Sequence, residues 1–257
     1  MTSHPPKSRV SEGLPPITPA QVVDAAVRLT VRHGIDGWTV RALAQDLGVA
    51  QAVVYHHVGD RQQVVYAVAS QVVDQIPVPA ADRPWREWFG ALLADVRKVT
   101  LHHPGVARHL VVLGPLAGAG RIVRPGMDVL TAAGFAEDAM MIYNYLSNTA
   151  LSLIAVEDER NKDPDERMRR ARELADLAQD PDEGLSEMGE WLASRAVSID
   201  QLRAADAHNY RFSVERALDG AEARLKVVRK RTARRAVRLE RRSTRATGSK
   251  LSTKGQE

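Results

Sequence analysis

The chain has 257 residues, with 36 Lys and Arg, 32 Asp and Glu, and no cysteine, which excludes disulfides and thiolate metal sites. No apolar run reaches the roughly 18 residues of a membrane span. The first 16 residues, with five Pro and Gly among them, do not resemble a signal peptide. We therefore expect a cytoplasmic protein without membrane contact.

The net charge of +4 is unevenly distributed along the chain. Residues 224–257 hold 13 of the Lys and Arg and 2 of the acidic residues, a net +11, so residues 1–223 carry a net −7. Residues 17–75 are nearly neutral, with 4 Arg and 5 Asp. The basic character of the sequence belongs to its C-terminal extension, residues 226–257.

A first helix is predicted from Pro19 to the glycine at 34. Thr18 can cap it, Pro19 suits its first position, and Gln21 completes a capping box. The preceding residues 1–16 are expected to form a flexible arm, either a solvated leader or an arm with a few DNA contacts. The candidate contacts in this arm are His4, Lys7 and Arg9.

Two short helices joined by a tight turn are predicted between residues 39 and 61. Apolar residues recur from Val40 to Leu47 at the i, i+3, i+4, i+7 spacing of one buried face, and Thr39 can cap this helix. Gly48 suits the left-handed backbone that ends it.

The second of these helices begins near Ala50, with Val54 and Val58 one turn apart on its inner face. This leaves an outward-facing set in its first half, as a DNA-recognition helix requires. The outward set is Gln51, Ala52, Val53, Tyr55 and His56.

Residues 34–58, GIDGWTVRALAQDLGVAQAVVYHHV, resemble the DNA-binding signature of the TetR family of bacterial regulators, especially its tetracycline repressor subgroup. The resemblance rests on a glycine-rich lead-in, the LAQ-LGV core and Tyr55. It implies a homodimeric repressor that binds palindromic, double-stranded operator DNA and is released by a small apolar effector. Beyond residue 77 it rests on helix order and on residues 134–159.

The resemblance assigns DNA contacts residue by residue. Arg41 is placed to read guanine or phosphate, Gln51 to pair with adenine or reach a phosphate, and Tyr55 to bind phosphate, although a solvated surface role remains open for Arg41. Ala52 and Val53 depart from the proline and hydroxyl of the subgroup, so the operator should differ. The predicted DNA-contact residues are Thr39, Arg41, Gln51, Ala52, Val53, Tyr55, His56 and Arg61.

A fourth helix is predicted after Asp60, which can cap it together with Gln63, and it extends toward Pro77. In the family this helix links the DNA-binding domain, here residues 17–76, to the body, here residues 77–225. Arg61 at its start would clamp a phosphate.

The body shows no strand alternation, which predicts an all-α fold. The resemblance implies that this fold is an N-terminal three-helix helix-turn-helix domain plus a helical-bundle ligand-binding and dimerisation domain. Residues 161–181 are strongly charged and are predicted to form an exposed, partly disordered excursion. The predicted helices lie near 85–102, 104–113, 120–133, 136–160, 165–179, 182–197 and 200–242.

The resemblance implies a homodimer through the helices near 136–160 and 205–225. The alternative is that both helices belong wholly to the core of one subunit. The apolar stripe assigned to the subunit interface is Tyr210, Val214, Ala217, Leu218, Ala221 and Leu225.

The effector is predicted to bind inside the body, next to the link helix, although each apolar residue here could simply fill the core. The predicted effector-binding residues are Leu92, Val96, His103, Leu110, Leu113, Met127, Met141 and Asn144.

No metal, cofactor or catalytic residue is predicted. His102, His103 and His109 match no ligand spacing, and Thr149 stands where the resemblance expects the histidine that binds a magnesium–drug complex. GxSxG, HExxH and P-loop patterns are absent, so a helical enzyme or an adaptor on the same fold is only an alternative.

The basic extension is densest at residues 226–245. If it contacts operator phosphates, truncation after Leu225 should flatten the salt dependence of binding, whereas a solvated extension would leave that dependence unchanged.

Overall fold

The computed structural model describes residues 16–114, 117–194 and 198–252. These residues form eleven α-helices and no strand, so the all-α prediction is confirmed. The predicted arm lies outside the described residues apart from Pro16.

The N-terminal unit, residues 17–76, has the predicted helices. Its elements are α1 (Pro19–His33), α2 (Val40–Leu47), α3 (Gln51–Val58) and α4 (Arg61–Asp74).

Local signals set the ends of these helices. Thr18 with Gln21, and Asp60 with Gln63, form reciprocal capping boxes at the starts of α1 and α4. Gly48 ends α2 with a left-handed backbone at φ 65°, where a side chain would be strained. The chain direction through the helix-turn-helix therefore follows from short-range chemistry.

The core of the N-terminal unit is apolar. Val22, Leu43, Val54 and Val68 are fully buried where α1, α2, α3 and α4 meet. The buried hydroxyl of Thr30 donates to the carbonyl of Ala26, and it accepts a hydrogen bond from the Trp38 indole at 3.0 Å. This packing fixes the angle at which α3 is presented.

The body, residues 77–228, is built from the remaining helices, and α8 is its centre because it packs on α5, α6, α7 and α11. Short 3₁₀ segments at 117–119, 136–138 and 176–179 join several of them. The helices are α5 (Trp85–Leu101), α6 (Val106–Leu113), α7 (Gly120–Ala133), α8 (Ala139–Asn161), α9 (Pro164–Ala175), α10 (Glu183–Ala193) and α11 (Ile199–Ser252).

The charged segment 161–181 is exposed, as predicted, but the expectation of partial disorder is wrong. Asp163 caps α9 by accepting from the backbone of Asp165 and Glu166, and none of the α9 residues is buried. Most of its charged side chains lie in water, Asp163 caps its N-terminus, and Arg167 ties it to α11 by pairing with Asp206 at 2.6 Å. The last helix is also longer than the predicted 200–242.

The apolar stripe on α11 has a different role from the predicted one. Tyr210, Val214, Leu218 and Leu225 are buried within the subunit, where α11 packs on α5 and α8. The Tyr210 hydroxyl donates to the carbonyl of Leu93 at 2.7 Å. The stripe is therefore core, and the interpretation of it as a subunit interface is wrong.

Helix α8 also bears on the membrane expectation. By length and composition alone, the segment Ala136–Asn161 could cross a membrane, since it has a window of mean hydropathy 1.2. One such helix is weak evidence for a membrane span, and α8 packs on four other helices.

Candidate nucleic-acid interface and effector cavity

Helix α3 presents its first half to solvent. Gln51 and Ala52 are exposed, Val53 is half-buried, and Tyr55 and His56 are exposed, while Val54 is buried beneath them. No side chain caps the start of α3, so its first backbone N–H groups are free to bind phosphate. The predicted outward set therefore shares one accessible surface.

Two predicted contact residues on α2 flank this surface. Thr39 is exposed and its hydroxyl caps α2 by accepting from the backbone N–H of Ala42 at 3.1 Å. The hydroxyl proton of Thr39 is still available to donate. Arg41 is exposed, one residue into α2, where its side chain is free to reach a duplex.

Arg61 stands apart from the other predicted contacts because its guanidinium already has protein partners. It donates to the carbonyls of Ile35 at 3.0 Å and Trp38 at 3.5 Å, and lies 5.2 Å from the centre of the Trp38 ring. Arg61 thus fastens the α1–α2 loop to the start of α4. Sequence reasoning missed this structural role.

A cavity of about 130 Å³ lies in the body. Four predicted effector-binding residues line it: Leu92, Val96, Leu110 and Asn144. Val73 and Ile76, at the end of the link helix α4, line it as well. A molecule in this cavity would therefore touch α4, which belongs with α3 to the N-terminal unit, residues 17–76, called the DNA-reading unit from here on.

Four predicted effector residues do not line the cavity. His103 is buried, and burial lowers its pKa. Its Nδ1 lies 2.8 Å from the carbonyl oxygen of Val99, so its imidazole helps to hold the turn after α5. Leu113 and Met141 are exposed, Met141 by 69%, and Met127 packs against the core. These four assignments lack support from the cavity.

The cavity has a polar side that the sequence reasoning missed. Tyr143, Ser147 and Asn148 line it beside Asn144, and burial raises the pKa of Tyr143, so its phenol stays protonated. The signal was present, because Asn144, Ser147, Asn148 and Leu151 repeat at i, i+3, i+4, i+7 on α8. The cavity is thus apolar with one amide- and hydroxyl-bearing wall.

A larger cleft of about 740 Å³ separates α9 and α10 from α11. Its lining alternates acidic and basic side chains, many of them already paired: Asp206 accepts from Arg160 at 3.2 Å and from Arg167 at 2.6 Å. This cleft does not touch α4, so a ligand in it would lack direct contact with the link helix.

The DNA-reading unit meets the body at a second place, the turn between α5 and α6. The backbone N–H of Ile35 donates to the carbonyl of Pro104 at 2.9 Å. Asp36 accepts from Arg108, and from His109 at 3.2 Å. Burial alone would raise the pKa of Asp36, but these two partners outweigh it and lower that pKa.

The same turn is held from the other side by α8. The buried carboxylate of Asp158 accepts from the backbone N–H of Gly105 at 2.9 Å. Burial raises the pKa of Asp158 to about 6. One turn therefore connects the end of α8 to the α1–α2 loop, and we call residues 102–105 the junction turn.

Metal ligation finds no support in the described part of the chain. No group of three or more His, Asp or Glu side chains there is arranged to hold an ion. His102 and His103 stack edge to face with ring centres 5.1 Å apart, and His109 faces Asp36. Thr149 does not line the cavity.

An exposed apolar face runs over α8 and α11, on the side away from the core. Met141 and Tyr145 of α8 and Phe212 and Val227 of α11 are all exposed, Phe212 by 56%. The Tyr145 phenol lies against α11 at Gly220, where an added Cβ would be in ordinary contact with its oxygen at 3.7 Å. Tyr145 therefore lies beside Gly220 of α11, while Phe212 lies nearer the start of α11, in a cleft that Trp191 of α10 also lines.

The comparisons with known proteins agree with this architecture. A family model described as bacterial regulatory proteins, tetR family, matches residues 22–68. An HTH-type transcriptional regulator of Saccharopolyspora erythraea is 31% identical over 56% of this chain and 62% of its own length. The class D tetracycline repressor protein of Escherichia coli is 27% identical over 54% of this chain and 65% of its own.

The chain therefore spans under two thirds of the length of these two relatives. Among solved structures, the Streptomyces coelicolor TetR family protein ActR, in complex with actinorhodin, is similar in fold. Its TM-score is 0.64 at 24% identity, over 80% of this chain and 99% of that one. These proteins are regulators, in line with the prediction that the chain is not an enzyme.

Proposed function

We propose that this chain, whose residues 22–68 match the tetR family of bacterial regulatory proteins, is a cytoplasmic, homodimeric repressor that leaves its operator when a small molecule binds. The observation that carries this proposal is the position of α4. This helix starts three residues after α3, and Val73 in its last turn and Ile76 just after its end line the cavity.

The mechanism follows from two supports of the DNA-reading unit. A ligand that pushes on Val73 and Ile76 displaces one end of α4, while the junction turn holds the α1–α2 loop against the body through Ile35. Motion of α4 against this fixed loop tilts α3. The ligand shifts the equilibrium only if it binds the tilted state better, and operator DNA must then weaken ligand binding by the same factor.

Homodimerisation is supported by the exposed apolar face of α8 and α11. Met141 and Tyr145 of α8 and Phe212 and Val227 of α11 are large apolar side chains that this subunit leaves in water, and exposed apolar patches mark sites of association. Pairing of this face in two subunits sets two α3 helices on one duplex, as a palindrome requires. Phe212→Glu should yield monomers in sedimentation, whereas Phe212→Leu should not.

The test of operator binding is selection of duplexes from random sequence at stated salt. We expect a palindrome with half-sites about one helical turn apart. Arg41→Ala or Gln51→Ala should cost roughly 1–3 kcal/mol at particular base pairs, whereas Tyr55→Ala should weaken all sequences about equally. An enzyme or an adaptor would enrich no palindrome.

The test of the effector cavity is a screen of small apolar molecules that release the selected duplex. Asn144→Leu should weaken such a molecule about tenfold, because it removes a polar partner from the cavity wall, and should leave ligand-free DNA affinity within a few-fold. Asn209→Leu is the matched control, since Asn209 lines the larger cleft. If Asn209→Leu alone weakens release, the effector binds there instead.

A further inference from the structure

Helix α11 continues well past the body. Val228, which is buried, and Arg229, which donates to the carbonyl of Ala133 at 2.8 Å, hold it against the body. Arg231 is still near enough to Asp138 to contribute to lowering the pKa of that carboxyl, after the larger effect of Arg224. The residues from 231 to 234 are exposed and the helical backbone continues to Ser252. At 1.5 Å per residue the part after Arg229 extends about 35 Å from the body.

The direction of this projection follows from ion pairs along α8. Asp206, early in α11, pairs with Arg160 at the end of α8, while Arg224 pairs with Asp138 before its start at 2.6 Å. The two helices are therefore antiparallel. The DNA-reading unit is attached at the other end, where Asp158 holds the junction turn. The extension leaves the body on the side opposite to α3.

The prediction of additional operator contacts by the extension is hard to reconcile with this geometry. From Asp138 to Asp158 along α8 is about 30 Å, and the extension starts at the far end and runs onward. A straight helix leaving there does not return to the duplex under α3. An anionic partner of the extension must therefore be a surface other than the operator bound by α3.

The sequence of the extension indicates which surface that is. Residues 231–252 contain eight Lys and Arg and one Glu, in a protein whose first 223 residues are net negative. They contain no aromatic residue and only two Leu or Ile, whereas helices that lie on membranes carry large apolar side chains on one face. The charge complements duplex DNA, which has one phosphate per about 1.7 Å of axis.

We propose that residues 231–252 bind the phosphate backbone of a second duplex, without sequence preference, so that a molecule seated on its operator tethers another DNA segment. This inference rests on the proposed operator binding by α3. In the proposed homodimer the two extensions leave the same end, which doubles the positive charge offered to the second duplex.

The experiment compares two changes with a matched control. Truncation after Ala233 removes residues 234–257 and keeps the contacts of Val228 and Arg229. The second change, Arg238→Gln, Arg241→Gln, Arg242→Gln and Arg245→Gln together, removes four charges and keeps the length. The control removes four exposed body charges: Arg83→Gln, Arg169→Gln, Arg170→Gln and Arg172→Gln.

Each protein is first saturated with an immobilised duplex obtained from the random-sequence selection. It is then offered a labelled duplex that lacks the selected site and is about 30 base pairs, or roughly 100 Å, long. We expect full-length protein and control to capture the second duplex, and both extension variants to lose capture at least tenfold. Affinity for the selected duplex and its salt dependence should stay within twofold in all four proteins.

Three results would overturn the proposal. Truncation could flatten the salt dependence on the selected duplex by about 0.9 per lost contact, which would place the extension on the operator itself. The full-length protein could fail to capture the second duplex. It could also prefer vesicles of anionic lipid over DNA. If the selection yields no duplex, the proposed operator binding by α3 is contradicted. The extension is then tested separately, by measuring whether protein immobilised through its N-terminus captures the labelled duplex.

Discussion

The DNA-reading unit and the body differ in what they bury. Among the described residues of 17–76, the buried polar residue is Thr30, whose hydroxyl is satisfied by Ala26 and Trp38. The body buries the carboxylates of Glu157, Asp158 and Asp206. The first core is held by apolar packing and the second by packing together with charge.

This difference indicates which part of the protein should respond most to pH and to changes of charge. An apolar core responds weakly to pH, and its losses on mutation scale with the volume removed. A buried carboxylate depends on each partner, since loss of one leaves an uncompensated charge. In this protein the buried carboxylates of α8 lie beside the junction turn, so the connection between body and DNA-reading unit should be the part most sensitive to pH and to charge changes.

The largest expected effect comes from breaking the buried pair of Arg97 and Glu157. The two groups form hydrogen bonds of 2.6 and 2.9 Å, and Arg97 also lies 5.3 Å from the centre of the Tyr210 ring. Arg97→Leu should lower the free energy of unfolding by about 3–5 kcal/mol, because Glu157 is left buried and unpaired. Urea unfolding at pH 7 measures it.

Two further variants sharpen this test. Replacing Arg97 and Glu157 together by Leu should recover most of the loss, since no unpaired charge remains. Lys162→Ala removes an exposed pair with Glu159 and should cost under about 1 kcal/mol. Equal losses for Arg97→Leu and Lys162→Ala would erase the contrast between the two regions.

Asp158 should make the stability of the body depend on pH. Its pKa in the folded protein is raised from 3.8 to about 6, so the folded state binds the proton more tightly than the unfolded chain. The stabilisation is complete below about pH 4 and is lost as pH rises through 6. Relative to Asp158→Asn, the wild type should gain up to about 3 kcal/mol between pH 7 and pH 4.

The measurement is chemical unfolding of both proteins across that range. Taking the difference between them cancels the opposite contribution of Asp36, whose pKa is lowered. A difference that does not change with pH would show that the Asp158 carboxyl is solvated and would remove the pH contrast between the two regions.

The smallest effect separates Arg61 from Arg41 within the DNA-reading unit. Arg61→Ala removes hydrogen bonds to the carbonyls of Ile35 and Trp38 and should lower the free energy of unfolding by about 1–2 kcal/mol. Arg41→Ala, at an exposed site, should stay within about 0.5 kcal/mol. Thermal unfolding measures both. If Arg61→Ala leaves the free energy of unfolding unchanged but weakens DNA binding, the prediction that Arg61 binds a phosphate would be supported instead.

Much of the DNA-reading unit was predictable because its signals are short-range. The capping residues Thr18, Thr39 and Asp60 act within three residues of their partners, and Gly48 acts through its own backbone. Periodicity on a helix of eight residues leaves one apolar face, so the outward set of α3 could be read directly.

The effector cavity was only half predictable, because α8 is apolar on several faces. Met141 and Asn144 were equally acceptable inward residues by spacing, yet Met141 is exposed and Asn144 lines the cavity. The spacing of residues along one helix shows which of them share a face. Which face points inward depends on α5, α6, α7 and α11 together, and that information is long-range.

The sequence by itself determined the helices, the helix-turn-helix and the charge of the extension, since each depends on neighbours within about one turn or on composition alone. Tertiary structure decided three further points. The α11 stripe of Tyr210, Val214 and Leu218 serves the core, Arg61 holds the α1–α2 loop, and the basic extension leaves away from α3. The physical reason is that an amphipathic helix carries the same stripe whether its own chain or a second copy covers it, and only the packed fold shows which surface is already covered.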